Sequence, residues 1–341
     1  MRCFFDDRQL AHAPGREFHN GGWAVHAETP GRARSIADAL GRWEAPRDHG
    51  AEPIAAVHDA RYLAFLRTAW DDWVREGREG EAIGYAFPVR HRRALHLTRI
   101  DARLGAFSMD ASTPITAGSW DAAYWGAQCA VSAVDALAEG ARSSFALCRP
   151  PGHHAGADYL GGYCFLNNAA IAARRATAKG LGPVAVLDVD YHHGNGTQDI
   201  FLSDGSVFFA SIHADPRTDY PFFWGHGDER GEGAGTGATL NLPLSRGTDW
   251  AAYRPALAQA LAAIADWGAK TLVVSFGADT YAHDPIAGFA LETGDFAAMG
   301  RMIGGAGLPA AIVMEGGYAV EALGANVAAF LSGVEGDEGA T

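Results

Sequence analysis

Five short apolar runs, each passing directly into polar, glycine-rich sequence, constrain the fold of this 341-residue chain more than any other feature. The runs are Ser144-Phe-Ala-Leu-Cys, Val184-Ala-Val-Leu-Asp-Val, Val207-Phe-Phe-Ala-Ser-Ile, Thr271-Leu-Val-Val-Ser-Phe and Ala311-Ile-Val-Met. Helix-like stretches lie between them, at 167–179, 253–267 and 295–305. Strands buried on both faces lose strict alternation and read as continuous apolar runs. Their alternation with helices predicts βαβ units and an α/β fold with a mostly parallel sheet. No repeat or linker divides the chain, so one domain is expected over 1–333, with a frayed tail at 334–341.

In an open parallel sheet the ligand site lies outside the carboxyl ends of the strands. The five runs lead into Pro150-Pro-Gly-His-His, Asp190-Tyr-His-His, His213-Ala-Asp-Pro, Gly277-Ala-Asp-Thr and Glu315-Gly-Gly-Tyr. These loops are expected to converge on one crevice. Asp190 and His192 are two residues apart at a strand end and leave one face together. A carboxylate and an imidazole so placed form two-thirds of a catalytic zinc site, which needs three protein ligands and an open position. The adjacent pair His153 and His154 suits acid–base chemistry.

A net charge of −13 disfavours nucleic acid and anionic membrane as partners and mildly favours cationic substrates. The four cysteines, at 3, 129, 148 and 164, have no paired or metal-type spacing, and Cys148 and Cys164 read as small buried groups. No signal-peptide pattern and no run of ~18 apolar residues is present, so a cytoplasmic location is expected. The segment 77–119 is the least patterned and reads as an insertion. The glycines at 231–237 do not join a strand to a helix, so they are no nucleotide loop. No Gly-x-Ser-x-Gly elbow is present, and the cysteines lack a His and Asn context, which argues against covalent catalysis.

Taken together, His153-His154, Asp188-Val-Asp-Tyr-His-His-Gly-Asn-Gly-Thr, Gly277-Ala-Asp-Thr and Glu315-Gly-Gly-Tyr resemble the histone deacetylase superfamily and, within it, the bacterial acetylpolyamine amidohydrolases. His58-Asp-Ala-Arg-Tyr-Leu and Gly161-Gly-Tyr-Cys-Phe-Leu-Asn-Asn extend the likeness over nearly the whole chain. The resemblance implies an arginase/deacetylase fold with a central, mostly parallel eight-stranded sheet flanked by helices. It implies Asp190, His192 and Asp279 as ligands of one Zn²⁺ per chain, with Fe²⁺ also acceptable to such donors. His154 would take a proton from water and return it to the leaving amine. His153 would be its electrostatic partner, held by Asp188, and Asn195 would hold His154. Tyr318 would stabilise the oxyanion. A K⁺ site is implied at Asp188, Ser211 and Ile212. Tyr163 and Tyr220, with Gly162, would wall a narrow substrate tunnel.

Amide hydrolysis of a small acetylated amine follows, most naturally an acetylpolyamine, with acetyl-lysine as the alternative. The 77–119 insertion would narrow the entrance and assist a homodimer. Asp101 would greet a distant ammonium there; Ser112 holds no acid at the second such position, and Asp110 stands near it. Two other classes share this fold. A binuclear arginase-like hydrolase would need a carboxylate at Gly194, and a silent binding module would have lost a ligand, a tandem histidine or Tyr318.

Overall fold

The computed structural model describes residues 1–88 and 96–336, so the basic run Arg90-His-Arg-Arg lies outside the described residues. The strands are β1 (Arg2–Phe4), β2 (Arg16–His19), β3 (Gly22–Val25), β4 (Ser143–Ala146), β5 (Val184–Asp188), β6 (Val207–Ala214), β7 (Thr239–Leu244), β8 (Thr271–Phe276) and β9 (Ala310–Met314). All five sequence-read strands are among them. β2 and β3 form an antiparallel hairpin, and the other seven form one sheet in the order β1-β4-β9-β8-β5-β6-β7. Every pairing in that sheet is parallel.

The sheet has seven strands among the described residues, where the resemblance implied eight. Beside β1 the next position is filled by a single bridge, Phe4 to Glu44. Glu44 N donates to Cys3 O at 2.8 Å and Phe5 N donates to Glu44 O at 3.2 Å. The next residue due to donate is Pro46, which has no N–H, so the ladder stops after one rung.

Apolar residues alternate across the sheet plane. Leu187, Ile212, Val274 and Ile312 pack on one side against helices Pro30–Leu40, Trp250–Trp267, Thr293–Gly305 and Val320–Glu335. Val186, Phe209, Val273 and Val313 pack on the other against Ser119–Ala138 and Asn168–Ala178. Burial on both faces accounts for the continuous apolar runs. Two helices begin earlier than their apolar periodicity predicts because polar caps extend them. Asp249 accepts from Ala252 N ahead of Trp250, and Glu292 with Asp295 forms a capping box ahead of Thr293.

The last helix runs through Glu335, two residues into the expected tail. Glu335 pairs with the Met1 amino group and, at 3.2 Å, with Arg42, which ties the chain ends together. Described parts of 77–119 are built into the fold: Ile100, Leu104 and Ile115 share a core with Tyr62, Phe65 and Leu66 of helix Ala60–Arg75. Among the described residues no helix is long and apolar enough to cross a membrane.

Candidate active site

The chain leaves β5 towards β6 on one side and leaves β8 towards β9 on the other, although β5 and β8 are neighbours. That reversal opens a crevice between their carboxyl ends. Asp190 and His192 follow β5 and Asp279 follows β8, so the three candidate ligands meet at the switch point. One donor atom from each lies within 4.8 Å of the others. His192 Nδ1 is 3.3 Å from Asp190 Oδ1 and 3.1 Å from Asp279 Oδ2.

The cluster fits a divalent cation on its own chemistry. Two carboxylates, each fully buried, share one imidazole. Burial and the neighbouring Asp190 push the Asp279 carboxyl up to about 7, while Asp190 is held below the carboxylate range; burial opposes that shift, and His153 and His192 drive it. Main-chain amides aim the remaining oxygens: Gly316 N donates to Asp190 Oδ2 at 2.8 Å, and Tyr191 N donates to Asp279 Oδ1 at 2.9 Å. A Cβ on Gly316 would meet Asp279 Oδ2 at 2.4 Å and Asp190 Oδ2 at 2.6 Å, so only glycine lets that backbone approach the ligands. His153, Cys164 and Glu315 also lie close, but Glu315 is already occupied by Gly152 N, His153 N and the Ser275 hydroxyl.

The two histidines sit side by side, with ring centroids 4.0 Å apart, in different electrostatic settings. His153 Nδ1 is 3.0 Å from Asp188 Oδ2. Burial works against its charge, but Asp190 and Asp188 prevail and raise it to about 10. His154 is driven well below its usual value by burial and by the charges of His153 and His192. Its Nδ1 is 2.6 Å from Asn195 Oδ1, while Asn195 Nδ2 faces His154 O at 3.4 Å. The amide oxygen can only accept, so His154 carries its proton on Nδ1 and presents Nε2 as a base. Neutral His154 beside charged His153 divides proton acceptance from charge stabilisation.

Tyr318 is held from both sides. Asp284 Oδ2 accepts from Tyr318 N at 2.6 Å and Ala319 N at 3.2 Å, and Asp284 Oδ1 accepts from Ile286 N at 3.1 Å. The Arg32 guanidinium lies 4.7 Å from the Tyr318 ring centroid and donates to Gly317 O at 2.6 Å and Glu315 O at 2.5 Å. Burial, against the pull of Arg32, raises the phenol well above its usual value, so it stays a proton donor. Arg32 is anchored by buried Glu28 at 2.7 Å, which also pairs with Arg149 at 2.9 Å.

A cavity of about 500 Å³ opens over these groups, lined by His154, His192 and Tyr318 at its base and by Gly162, Tyr163 and Tyr220 on its walls. Tyr163 has φ +67°. Its amide donates to Thr113 Oγ1 at 2.9 Å, and Gly162 N donates to Asp110 Oδ2 at 2.7 Å, which hold this strained turn in place. Phe18, His19 and Asn20 of the β2–β3 hairpin form part of the mouth. Asn20-Gly21, with φ 49° and 80°, is a two-residue hairpin turn whose signal is visible in the sequence. A larger cavity, about 740 Å³, lies at the opposite rim around Met1, Ser143 and Ala310, away from the strand ends that carry the chemistry.

Asp188 faces Ser211 in register across β5 and β6. The Ser211 hydroxyl is 2.8 Å from His213 Nδ1, and Ile212 points into the apolar core. Asp101 is the one candidate that the structure places elsewhere. It sits buried on helix Ile100–Ala106, outside the cavity lining, with its Oδ2 held by Arg78 and, at 2.5 Å, by Arg99. A carboxylate already neutralised by two guanidinium groups has little left for a substrate cation. All four cysteines are buried and burial raises each thiol, so none is an activated nucleophile. Glu28, Arg32 and Asp284 shape the site without any local signal in the sequence.

Comparison with known proteins agrees with this geometry. Residues 26–334 match the histone deacetylase domain family. The chain is 50% identical over 342 residues to acetylpolyamine amidohydrolase 2 of Pseudomonas aeruginosa, covering 98% of this chain and 99% of that one. It is 47% identical to the acetylpolyamine amidohydrolase of Mycoplana ramosa, covering 98% and 100%. The crystal structure of an acetylpolyamine aminohydrolase from Burkholderia pseudomallei superposes with a TM-score of 0.93 at 42% identity, over 98% of each chain.

Proposed function

Because the chain belongs to the histone deacetylase family, we propose that it is a single-metal amidohydrolase that removes acetyl groups from small acetylated amines, acetylpolyamines foremost. The observation that carries the reading is the meeting of the Asp190–His192–Asp279 cluster, which reaches one cavity through His192, with a neutral His154 and the Tyr318 phenol in the lining of the same cavity. A Zn²⁺ or Fe²⁺ ion on those three ligands would supply Lewis acidity towards water and the amide carbonyl.

The chain's own groups do the rest. His154 Nε2 accepts the proton of the attacking water and hands it to the departing amine. His153, paired with Asp188, holds positive charge beside it. Tyr318 donates a hydrogen bond to the carbonyl oxygen as negative charge develops there. Tyr163 and Tyr220 line the path of an unbranched alkyl chain. K⁺ beside Asp188 and Ser211, and a homodimer, belong to the same proposal.

A single ion is favoured over a binuclear centre because Gly194 leaves no place for another carboxylate: a Cβ there would meet Asp188 Oδ2 at 2.2 Å. His154→Ala is expected to lower kcat ~10²–10⁴-fold in a folded protein, the usual worth of a general base. Near-normal turnover by that variant would end its assignment. The direct test is acetate release by the metal-loaded protein from acetylputrescine, acetylspermidine and an acetyl-lysine peptide. The highest kcat/KM is expected for the polyamines. Preference for the peptide would keep the chemistry and reject the substrate class, and no release from any of them would reject both.

A further inference from the structure

Both aromatic walls of the cavity are tied to one carboxylate that the reaction above does not use. Asp110 lines the cavity, and both of its oxygens are occupied. Its Oδ2 accepts from Gly162 N at 2.7 Å and from the Tyr220 hydroxyl at 2.8 Å. Its Oδ1 accepts from Ser112 N at 3.1 Å and from the Thr113 hydroxyl at 3.0 Å. With four donors already in place, it has little left for a substrate ammonium.

The donors come from three segments that are far apart in the chain. Asp110, Ser112 and Thr113 follow helix Ile100–Ala106, Gly162 and Tyr163 follow β4, and Tyr220 lies in the loop from β6 to β7. The first two segments are zipped together. Leu160 N donates to Phe107 O at 2.8 Å, Met109 N to Leu160 O at 2.9 Å, and Tyr163 N to Thr113 Oγ1 at 2.9 Å. The third segment joins them through the Tyr220 hydroxyl.

Each wall depends on its tie. Gly162 and Tyr163 have φ of 54° and 67°, and a tyrosine relaxes from that region unless its surroundings hold it. The Tyr163 ring meets the Tyr318 ring at 5.6 Å. The Tyr220 ring stands edge-on to His154 at 5.1 Å and to His192 at 6.2 Å. A shift of either wall therefore alters the width of the path beside the general base and the oxyanion donor. After Tyr220 the loop turns outward, with Phe222 and Phe223 exposed. Before it, Asp219 is anchored by the Tyr191 hydroxyl at 2.7 Å and by Arg246 at 2.6 Å. Losing the Tyr220 hydroxyl would thus free the ring while the loop keeps its anchor.

We infer that Asp110 is the positioning residue that sets the bore of this cavity, by tying Tyr220 to the Gly162-Tyr163 turn, and that the tie makes the site select unbranched amines over branched ones. The inference rests on the amidohydrolase reading of the same site. A tethered wall cannot yield to an extra methyl group, and overpacking against it is unfavourable. The test compares acetylputrescine with its analogue carrying one methyl branch on the second carbon from the amide nitrogen. Both nitrogens and the charge are the same in the two. The metal-loaded wild type is expected to favour acetylputrescine in kcat/KM by ~10-fold or more, the usual worth of one misfitting carbon. Tyr220→Phe keeps the ring and removes the tie. It should cut that preference ~3–10-fold, the worth of one hydrogen bond, through a lower KM for the branched amide. Asp110→Ala should cut it at least as far, and adding Tyr220→Phe to Asp110→Ala should change it no further.

A merely structural role would lower kcat/KM for both amides together and leave their ratio alone, which would overturn the inference. So would a wild type without the preference, or a Tyr220→Phe effect that is as large in the Asp110→Ala background. Should Asp110→Ala fail to fold, the ratio in Tyr220→Phe decides. If the wild type releases acetate from neither amide, the hydrolase reading fails, and calorimetry with the same two amides reads the bore. The inference then stands if the wild type binds the unbranched amide more tightly and Tyr220→Phe narrows the gap. It falls if the wild type binds both alike or neither, or if the gap is unchanged.

Discussion

Asp190→Ala is expected to lose the metal and, with it, amide hydrolysis. Asp190 offers a ligand oxygen and also organises the cluster, because its Oδ1 accepts from His192 N at 2.8 Å and its Oδ2 from Gly316 N at 2.8 Å. Alanine would leave one carboxylate and one imidazole, a donor set too small to close a three-ligand site. Elemental analysis of purified protein should read one ion per chain in the wild type and close to none in the variant. The fold is expected to survive, since the strands that carry the ligands are buried over their whole length by both helix layers. A fully metallated Asp190→Ala protein would refute the ligand assignment. Two ions per wild-type chain would instead favour a binuclear centre.

Tyr318→Phe is expected to lower kcat ~10²–10³-fold with little change in KM, the usual cost of one oxyanion donor. The ring keeps its place because its contacts with Tyr163 and Arg32 are made by the ring face and edge and need no hydroxyl. Asp284 gives the prediction a second arm. Its carboxylate touches the Tyr318 and Ala319 amides rather than the cavity base, so it acts by positioning Tyr318. Asp284→Ala should lower kcat in the wild-type background and add little in the Tyr318→Phe background. Equal losses in both backgrounds would show that Asp284 does not work through the phenol. Wild-type turnover by Tyr318→Phe would remove the phenol from the mechanism.

The sequence by itself determined the α/β class, five of the seven sheet strands and the loops that carry Asp190, His192, Asp279, His153, His154 and Tyr318. The physical reason is that each of these is a local property. A doubly buried strand must be a continuous apolar run, and a crossover sheet brings the loops at its carboxyl ends to one rim. The short edge strand β1 and the edge strand β7, with Pro243 within it, bury less and left a weaker pattern.

Only the tertiary structure decided the charge state of each group and how each acid is held. Asp101 and Asp110 are both single acidic residues in the sequence. One is neutralised by arginines that happen to pack beside it, and the other is shared by hydroxyls and main-chain amides of the cavity wall. Arg32 reaches the Tyr318 loop across 285 positions of chain. Such pairings depend on which surfaces packing brings together over long sequence separations, and no spacing rule within the chain encodes them.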